Sequence, residues 1–325
     1  MMSTEQRGPR SFQAPTIAPL NTADAPTWSV MIPTFNCASL LRRTLTGLLA
    51  QAPSAEVMQI EVVDDHSTKD DPEAVVREVG QGRVSFYRHP ANVGAIANFN
   101  SCIQRSRGAL VHILHGDDLI GPGFYAKMDA MVHAHPGSAM YATRCFFIDE
   151  EDVITWVSPR LTVAEAGTHD ATPMYYANQL QFAGVVIRRS FYEQHGGFLP
   201  ELVHTADWEM WCRAMSQGGC VTTSDVLASY RVFAANDTGR LMRTAENLRD
   251  RIRFAGVMSL RHDDFSLQRA ALDTRHLAWK QYLQFQRAGD HEAAQANLRY
   301  WLEHGTPQER FKYRLKNELR AVFRR

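Results

Sequence analysis

LVHILHGDD, residues 110–118, is an apolar run of β-forming residues that stops at His115, bends at Gly116 and ends in two adjacent carboxylates, Asp117 and Asp118. Adjacent like charges repel, and water solvates a carboxylate far better than a protein core does. A buried strand that delivers such a pair ends where something offsets the charge. The pattern occurs once upstream: IEVVDD, residues 60–65, brings Asp64 and Asp65 off a second β-rich run. One Asp at a strand end is ordinary turn or N-cap chemistry. Two pairs at equivalent strand ends ask for more. In a parallel sheet, ligands gather beyond the carboxyl ends of the strands, where strand order reverses. A divalent cation, Mn2+ or Mg2+, takes one or two carboxylates together with phosphate oxygens and water, so the pattern suits a nucleoside diphosphate.

The surroundings alternate in the way such a sheet requires. WSVMIPTF (28–35) reads as a first strand with Val30 and Ile32 inward. SLLRRTLTGLLAQ (39–51) reads as a helix with Ser39 as N-cap and Leu41, Leu45, Leu48 and Leu49 on one face. After IEVVDD come a helical DPEAVVREVG (71–80), a third strand RVSFYRH (83–89), a helix within NVGAIANFNSCIQRSRG (92–108) ended by Gly108, and the strand ALVHIL (109–114). Strands and helices alternating at this spacing predict an α/β fold with a parallel, doubly wound sheet. Farther on, FYAKMDAMVHAH follows Pro122 as a helix, and AMYATRCFFIDE (139–150) and VITWVS (153–158) face each other across an acidic turn. FAGVVIRR (182–189), a short helix ending at Gly196-Gly197, the helix HTADWEMWCRAMSQGG (204–219) and the strand VLASYRVF (226–233) complete the set. The expected organisation is a flexible, proline-rich arm over 1–26, an α/β domain over 27–236 and a helical region over 237–325.

Composition narrows the partners. Formal net charge is zero, so nothing in bulk charge favours nucleic acid. The five cysteines, Cys37, Cys102, Cys145, Cys212 and Cys220, include no C-x-x-C pair and read as thiols of a reducing compartment. No apolar run reaches membrane-spanning length and no signal-peptide core stands at the N-terminus, so a cytoplasmic location is expected. His133 and His135 are two apart, which on a helix sends them to different faces and argues against a metal pair. YLQFQRAGDHEAAQANLRYWLEHG (282–305) resembles a single tetratricopeptide-like hairpin, too few units for a solenoid.

Five segments, SVMIPTFNCASLLRRTLTGLLAQ, IEVVDDHSTKD, NVGAIANFNSCIQRSRGALVHILHGDD, FAGVVIRRSFYEQHGGF and ADWEMWCRA, occur in the order seen in family 2 glycosyltransferases, and the resemblance covers about residues 28–235. It implies a GT-A-type fold, a mixed, mostly parallel sheet flanked by helices. It also implies an enzyme that inverts the anomeric centre as it moves sugar from a nucleoside-diphosphate donor to a glycan or lipid-linked acceptor, in cell-surface polysaccharide or glycolipid assembly. Carried over by position, Pro33, Thr34 and Asn36 line the nucleotide pocket, Asp65 bonds the base, Asn92 and Gly94 lie in the loop beside the nucleotide, and Asn100 is a polar nucleotide-binding candidate in the helix that follows. Asp117 matches the second acid of the family's D-x-D segment and is the expected metal ligand for Mn2+ or Mg2+. His115 stands where the first Asp is often found. His115, Asp118 and Arg231 are further candidates for contact with metal or donor. Asp207 matches the catalytic base, with Ala206 where a Glu usually precedes it, and Phe233 replaces a frequent His. The Q/R-x-x-R-W segment of processive members is absent, which implies addition of a single sugar.

Two other functions use the same residues. A sugar nucleotidyltransferase needs a glycine-rich loop after the first strand, and PTFNCAS has none. A catalytically degenerate binding scaffold would explain the departures at residues 115, 206 and 233. The tail ERFKYRLKNELRAVFRR (309–325) places Phe311, Leu315, Leu319, Val322 and Phe323 on one face of a basic helix. Such a face fits peripheral contact with an anionic membrane, packing on the catalytic domain, or self-association.

Overall fold

Uninterrupted burial along β1 (Trp28–Thr34) and β2 (Met58–Asp64) marks both as interior strands of the sheet. The computed structural model describes residues 12–20, 25–160, 167–233 and 237–311. In chain order, β1 leads to α1 (Ala38–Leu49), β2, α2 (Pro72–Gly80), β3 (Ser85–Arg88), α3 (Ala95–Arg105) and β4 (Leu110–Ile113). There follow β5 (Leu119–Ile120), α4 (Phe124–Ala134), β6 (Met140–Ile148), β7 (Ile154–Val157), β8 (Val185–Arg188), α5 (Arg189–His195), α6 (Ala206–Gly218) and β9 (Cys220–Arg231). The strands order as β3-β2-β1-β4-β8-β6-β9-β5, with β7 on β6. β1 to β4 run parallel, β8 runs antiparallel to β4 and β6, and β9 returns parallel to β6. The sheet is therefore mixed and mostly parallel, as expected. Its order reverses between β1 and β4, the position that brings two strand ends together around a crevice.

Register places the acidic pairs there. Thr34 pairs with Asp64, so β1 and β2 end level. β4 pairs with β1 only as far as Ile113 opposite Met31, and the chain then leans on β1's exit, with Gly116 donating its N–H to Pro33 O at 3.0 Å. The core beneath includes Val30, Ile32, Leu41, Leu45, Val62 and Phe124. A second unit, Ala234–Arg325, contains α7 (Asp237–Arg243), α8 (Glu246–Arg261), α9 (Leu267–Arg287) and α10 (His291–His304), with a core of Leu248, Ala278, Leu298, Tyr300 and Trp301. The first unit is Met1–Phe233, a division three residues ahead of the expected one. No described helix is long and apolar enough to cross a membrane.

Several local expectations are corrected. α1 starts at Ala38, not after Ser39, and the orphan Ala38 N–H is taken by Asp70 Oδ2 at 2.7 Å, a cap supplied from the next loop. α3 stops at Arg105, before Gly108, which serves another purpose. A Cβ on Gly108 would lie 2.3 Å from the Trp28 carbonyl carbon, and its N–H bonds Ser29 Oγ at 2.7 Å. Phe182–Gly184 form a 3-10 turn ahead of β8, and a Cβ on Gly184 would lie 2.9 Å from the Thr143 carbonyl oxygen. The expected N-terminal arm is docked over residues 12–20. Ile17 is fully buried, Gly197 N–H bonds Pro15 O at 2.9 Å, and Arg189 bonds Ala18 O at 3.1 Å. An apolar side chain and two otherwise unsatisfied donors are what hold it. The tail expectation lies outside the described residues from 312 onward.

His112 sits fully buried on β4, with Nδ1 3.1 Å from Tyr125 Oη and Nε2 3.1 Å from Ala183 O. Burial holds its pKa down to about 3 from the model-peptide 6.5. The unfolded chain therefore binds a proton that the native chain refuses, and the stability this neutral imidazole contributes is present above pH 6.5 and is lost as pH falls toward 3. The difference in unfolding free energy between wild type and His112→Gln is expected to shrink by about 2 kcal/mol from pH 7 to pH 5, measured by urea titration. Gly108→Ala is expected to cost about 1–3 kcal/mol in the same assay at unchanged m-value, from overpacking against β1.

Candidate functional site

The first acidic pair divides its work. Asp64 holds its own turn: its carboxylate accepts Ser67 N–H at 3.1 Å, Ser67 Oγ–H at 2.5 Å and Arg88 Nε–H at 2.7 Å. That leaves Asp65 for a different task. Asp65 Oδ1 accepts Val93 N–H at 2.7 Å and Oδ2 accepts Gly94 N–H at 3.0 Å, while Asn92 Nδ2 donates to the Asp65 carbonyl at 3.1 Å. Gly94 has φ +86° and is the N-cap of α3, so the carboxylate faces the positive end of a helix across a backbone turn that favours glycine. Two accepted bonds leave the carboxylate further acceptor positions.

Asn36 joins the first loop to the second. Its backbone lies at φ +51°, its N–H bonds Ser67 Oγ at 2.8 Å, and its Oδ1 accepts Thr68 and Lys69 N–H at 2.9 and 3.0 Å. Pro33 and Thr34 present their carbonyls to Gly116 and Asp65 N–H at 3.0 and 2.9 Å. The Thr34 hydroxyl lies 2.9 Å from Cys37 Sγ. Burial first, and the Asp117 carboxylate second, push the Cys37 thiol up to about 12, which removes it as a nucleophile at neutral pH. A Cβ on Gly116 would meet Thr34 Oγ1 at 3.0 Å and Cys37 Sγ at 3.2 Å, so glycine is what lets the HGDD turn close onto β1.

Ligand atoms of His115, Asp117 and Asp118 all lie within 4.8 Å of one another. The His115 ring stacks on Phe99 at 4.9 Å and tilts against Phe182 at 4.5 Å, so apolar packing sets its plane. Asp118 is fully buried. Its Oδ1 accepts the Arg231 N–H at 2.9 Å, its carbonyl accepts Thr44 Oγ1–H at 2.8 Å, and its Oδ2 has no hydrogen-bond partner among the described residues. Burial, then the neighbouring Asp117 charge, raises its pKa well above the usual carboxylate range, against the pull of Arg231. A buried carboxylate oxygen without a donor, facing an imidazole and a second carboxylate, fits a divalent cation. Arg231 is bonded to backbone carbonyls and a carboxylate of neighbouring turns. Its guanidinium is fully buried and bonds Asp117 O at 2.8 Å, Asp149 O at 2.5 Å and Asp152 Oδ1 at 2.5 Å, tying the β6–β7 turn beneath the HGDD turn.

Asp207 lies half-buried in the first turn of α6, with Oδ1 accepting its neighbour Trp208 N–H at 2.7 Å and Oδ2 accepting Asn178 Nδ2–H at 3.0 Å. Trp208 is core: its Nε1 bonds Met174 O at 2.5 Å. Asn100 stands apart from the nucleotide loops. Both ends of its amide are spent on Phe198, at 3.0 Å to the carbonyl and 2.8 Å from the N–H, beneath a Gly197 whose Cβ would strike it. Asn178 and the inward turn of Asp118 carried no periodicity or motif that sequence reasoning could use, and Phe99 and Phe182 lie in quoted segments without a sign that they pack on His115. Asn178 is 29 positions from the carboxylate it holds.

Residues 29–194 match the profile of glycosyl transferase family 2, just over half of the chain. MT1568, an uncharacterized protein of Mycobacterium tuberculosis, is 27% identical over 242 residues, 70% of this chain and 74% of that one. Among solved structures, S. aureus TarS 1–349 in complex with UDP-GlcNAc superposes with a TM-score of 0.58 at 15% identity, over 80% of this chain and 73% of that one. The Pyrobaculum calidifontis mannosyltransferase PcManGT, in complex with GDP-Man and Mn2+, gives 0.53 at 20% identity, over 93% and 82%. At these identities the two structures speak for the fold.

Replacing Arg231 by Met would leave the Asp117 and Asp149 carbonyls without donors and Asp118 without a compensating charge. The expected loss is about 3–5 kcal/mol of unfolding free energy, read from denaturant midpoints.

Proposed function

Because the chain belongs to glycosyl transferase family 2, we propose that it moves one sugar from a nucleoside-diphosphate donor to an acceptor hydroxyl with inversion at the anomeric carbon. The observation that carries this reading is the meeting of two acidic devices at the reversal of strand order: Asp65 on its backbone collar, and the His115/Asp117/Asp118 cluster with an unbonded buried oxygen. Asp65 has acceptor capacity left for a base N–H, within a loop shaped by Asn36, Thr34, Pro33 and Asn92. Asn100 and Arg231 support the fold around this site and do not enter the donor contact. His115, Asp117 and Asp118 would hold Mn2+ or Mg2+, whose chemistry there is to stabilise negative charge developing on the leaving diphosphate.

Asp207 takes the proton of the acceptor hydroxyl as that oxygen attacks the sugar carbon and the bond to diphosphate breaks. Two donors, Trp208 N–H and Asn178 Nδ2–H, fix its carboxylate in direction. The acceptor is a hydroxyl of a glycan or a lipid-linked glycan, in line with single-sugar addition. TarS and PcManGT were solved with donors of different bases, so uridine and guanosine diphosphate sugars are both to be screened.

The deciding assay incubates the chain with nucleotide-sugars and Mn2+ and measures nucleoside diphosphate release. Pyrophosphate release from a sugar phosphate and a nucleoside triphosphate would instead identify a nucleotidyltransferase. Asp117→Asn is expected to reduce nucleoside-diphosphate affinity with Mn2+ to its cation-free level without loss of thermal stability. Asp207→Asn is expected to keep donor affinity and lose about 10²–10⁴-fold in turnover. Asn178→Ala should lower kcat by about tenfold at neutral pH with donor affinity kept, since a donor that orients the carboxylate is gone.

A further inference from the structure

The turn 195–198, between α5 and α6, is held by three separate parts of the chain. The first is the N-terminal segment. Gly197 N–H bonds Pro15 O at 2.9 Å, and a Cβ on Gly197 would meet the fully buried Ile17 at 3.6 Å. Gly196 is fitted to the same segment: it lies at φ +80°, and a Cβ there would stand 2.7 Å from Ala14 Cβ and 2.9 Å from Pro15 O. The second is α6. Arg213 donates to the carbonyls of His195, Gly196 and Gly197 at 2.5, 3.2 and 2.8 Å, and its remaining bonds go to the buried Glu209, two positions after Asp207. The third is α3, whose Asn100 holds the N–H and carbonyl of Phe198. The Phe198 ring then meets Phe99 at 5.9 Å and Phe182 at 5.5 Å, the two rings that set the plane of His115. One short turn thus links the helix that carries the base to the wall of the donor site.

The N-terminal segment is ordered at some cost. Residues 12–20 have no regular secondary structure, and a chain end is loose unless something ties it down. Beyond Ile17, Arg189 bonds Ala18 O at 3.1 Å and Glu193 Oε1 accepts Leu20 N–H at 3.3 Å, so the segment is fastened on both sides of its apolar anchor. Pro15 and Pro19 narrow the backbone freedom that must be given up.

Resting on the transferase reading given above, we propose that residues 14–18 are a strap that positions Asp207 against the donor, with Ile17 as its anchor and the 195–198 turn as the part it acts on. The strap touches no substrate. It presses the turn onto Arg213 and Asn100, and those two residues carry its placement to α6 and to the aromatic wall. Proton transfer from an acceptor hydroxyl is sensitive to such placement, because a misplacement of about 1 Å can cost about 10²-fold in rate. Donor affinity depends on the loops at the ends of β1, β2 and β4, which the strap does not contact through any bond described here.

The full-length chain carrying Ile17→Asp is compared with wild type in nucleoside diphosphate release from UDP-GlcNAc and GDP-Man with Mn2+. Turnover is counted per site titrated by uridine or guanosine diphosphate, so unfolded chain does not enter it. Amide exchange at Gly197 reports whether the strap has left, since that N–H bonds Pro15 O. A buried aspartate expels the anchor. The expected result is Gly197 exchange at least about tenfold faster and kcat per site lower by about tenfold or more, with KM for the donor within about twofold of wild type. Ile17→Val, which keeps most of the anchor, is expected to restore kcat to within about twofold. Where Ile17→Asp binds no nucleotide, Ile17→Ala is read by the same measures. Faster Gly197 exchange with kcat per site unchanged overturns the strap, and so does an equal loss of kcat in Ile17→Val. Gly197 exchange as slow as in wild type shows that Ile17 is not the anchor and overturns it as well. If wild type itself releases no nucleoside diphosphate from any nucleotide-sugar, the transferase reading fails and the strap's role in it falls too.

Discussion

Beneath the strand ends, a guanidinium and a carboxylate are both removed from water, and neither is tolerable there alone. Arg231 and Asp118 are fully buried at the junction of β9, the HGDD turn and the β6–β7 turn. A lone buried charge costs several kcal/mol; the guanidinium is met by Asp152 Oδ1 and the carbonyls of Asp117 and Asp149, while Asp118 Oδ1 takes the Arg231 backbone N–H. Everything above depends on this lock. The backbone of Asp117 is held by Arg231 Nε, Asp118 is turned inward by the Arg231 N–H, and Asp152 adopts φ +67° to reach the same guanidinium. The guanidinium beneath them eases, without cancelling, the cost of holding the two carboxylates close together.

The sheet's alternation was legible because its strands are buried runs between amphipathic helices, the pattern that burial writes most plainly into sequence. Two acidic pairs at strand ends were legible too, since polar residues ending apolar runs need a reason. What the pattern lacked was direction. LVHILHGDD reads the same whether Asp118 turns toward solvent or into the core, and only the register of β9 against β6 and β5 brings the Arg231 N–H to it. β5 itself, two residues long, is below what periodicity can register. Asn100 shows the opposite failure: a polar residue in the right segment whose amide is consumed by a distant backbone, a partner no local reading contains.

The site's loops are tied to one another by bonds between segments far apart in the chain. Asn36 reaches Thr68 and Lys69, Asp65 reaches Val93 and Gly94, and Thr44 reaches the carbonyls of Gly116 and Asp118. These ties stand in the place of regular secondary structure where the sheet has ended. They also explain why several polar residues are committed before any ligand is present: their first task is to hold the loops, and the acceptor capacity left over is what a ligand can use.

The Asp65 collar is made of main chain on one side. Asp65 bonds the N–H groups of Val93 and Gly94, and the Val93 side chain itself is exposed. Substitutions at residue 93 are therefore nearly neutral for the loop's shape, whereas Gly94, at positive φ, is not exchangeable at the same cost. A lineage diverging from this chain can vary what residue 93 presents to its surroundings while inheriting the loop unchanged, so variation of the surface and preservation of the scaffold fall on different residues.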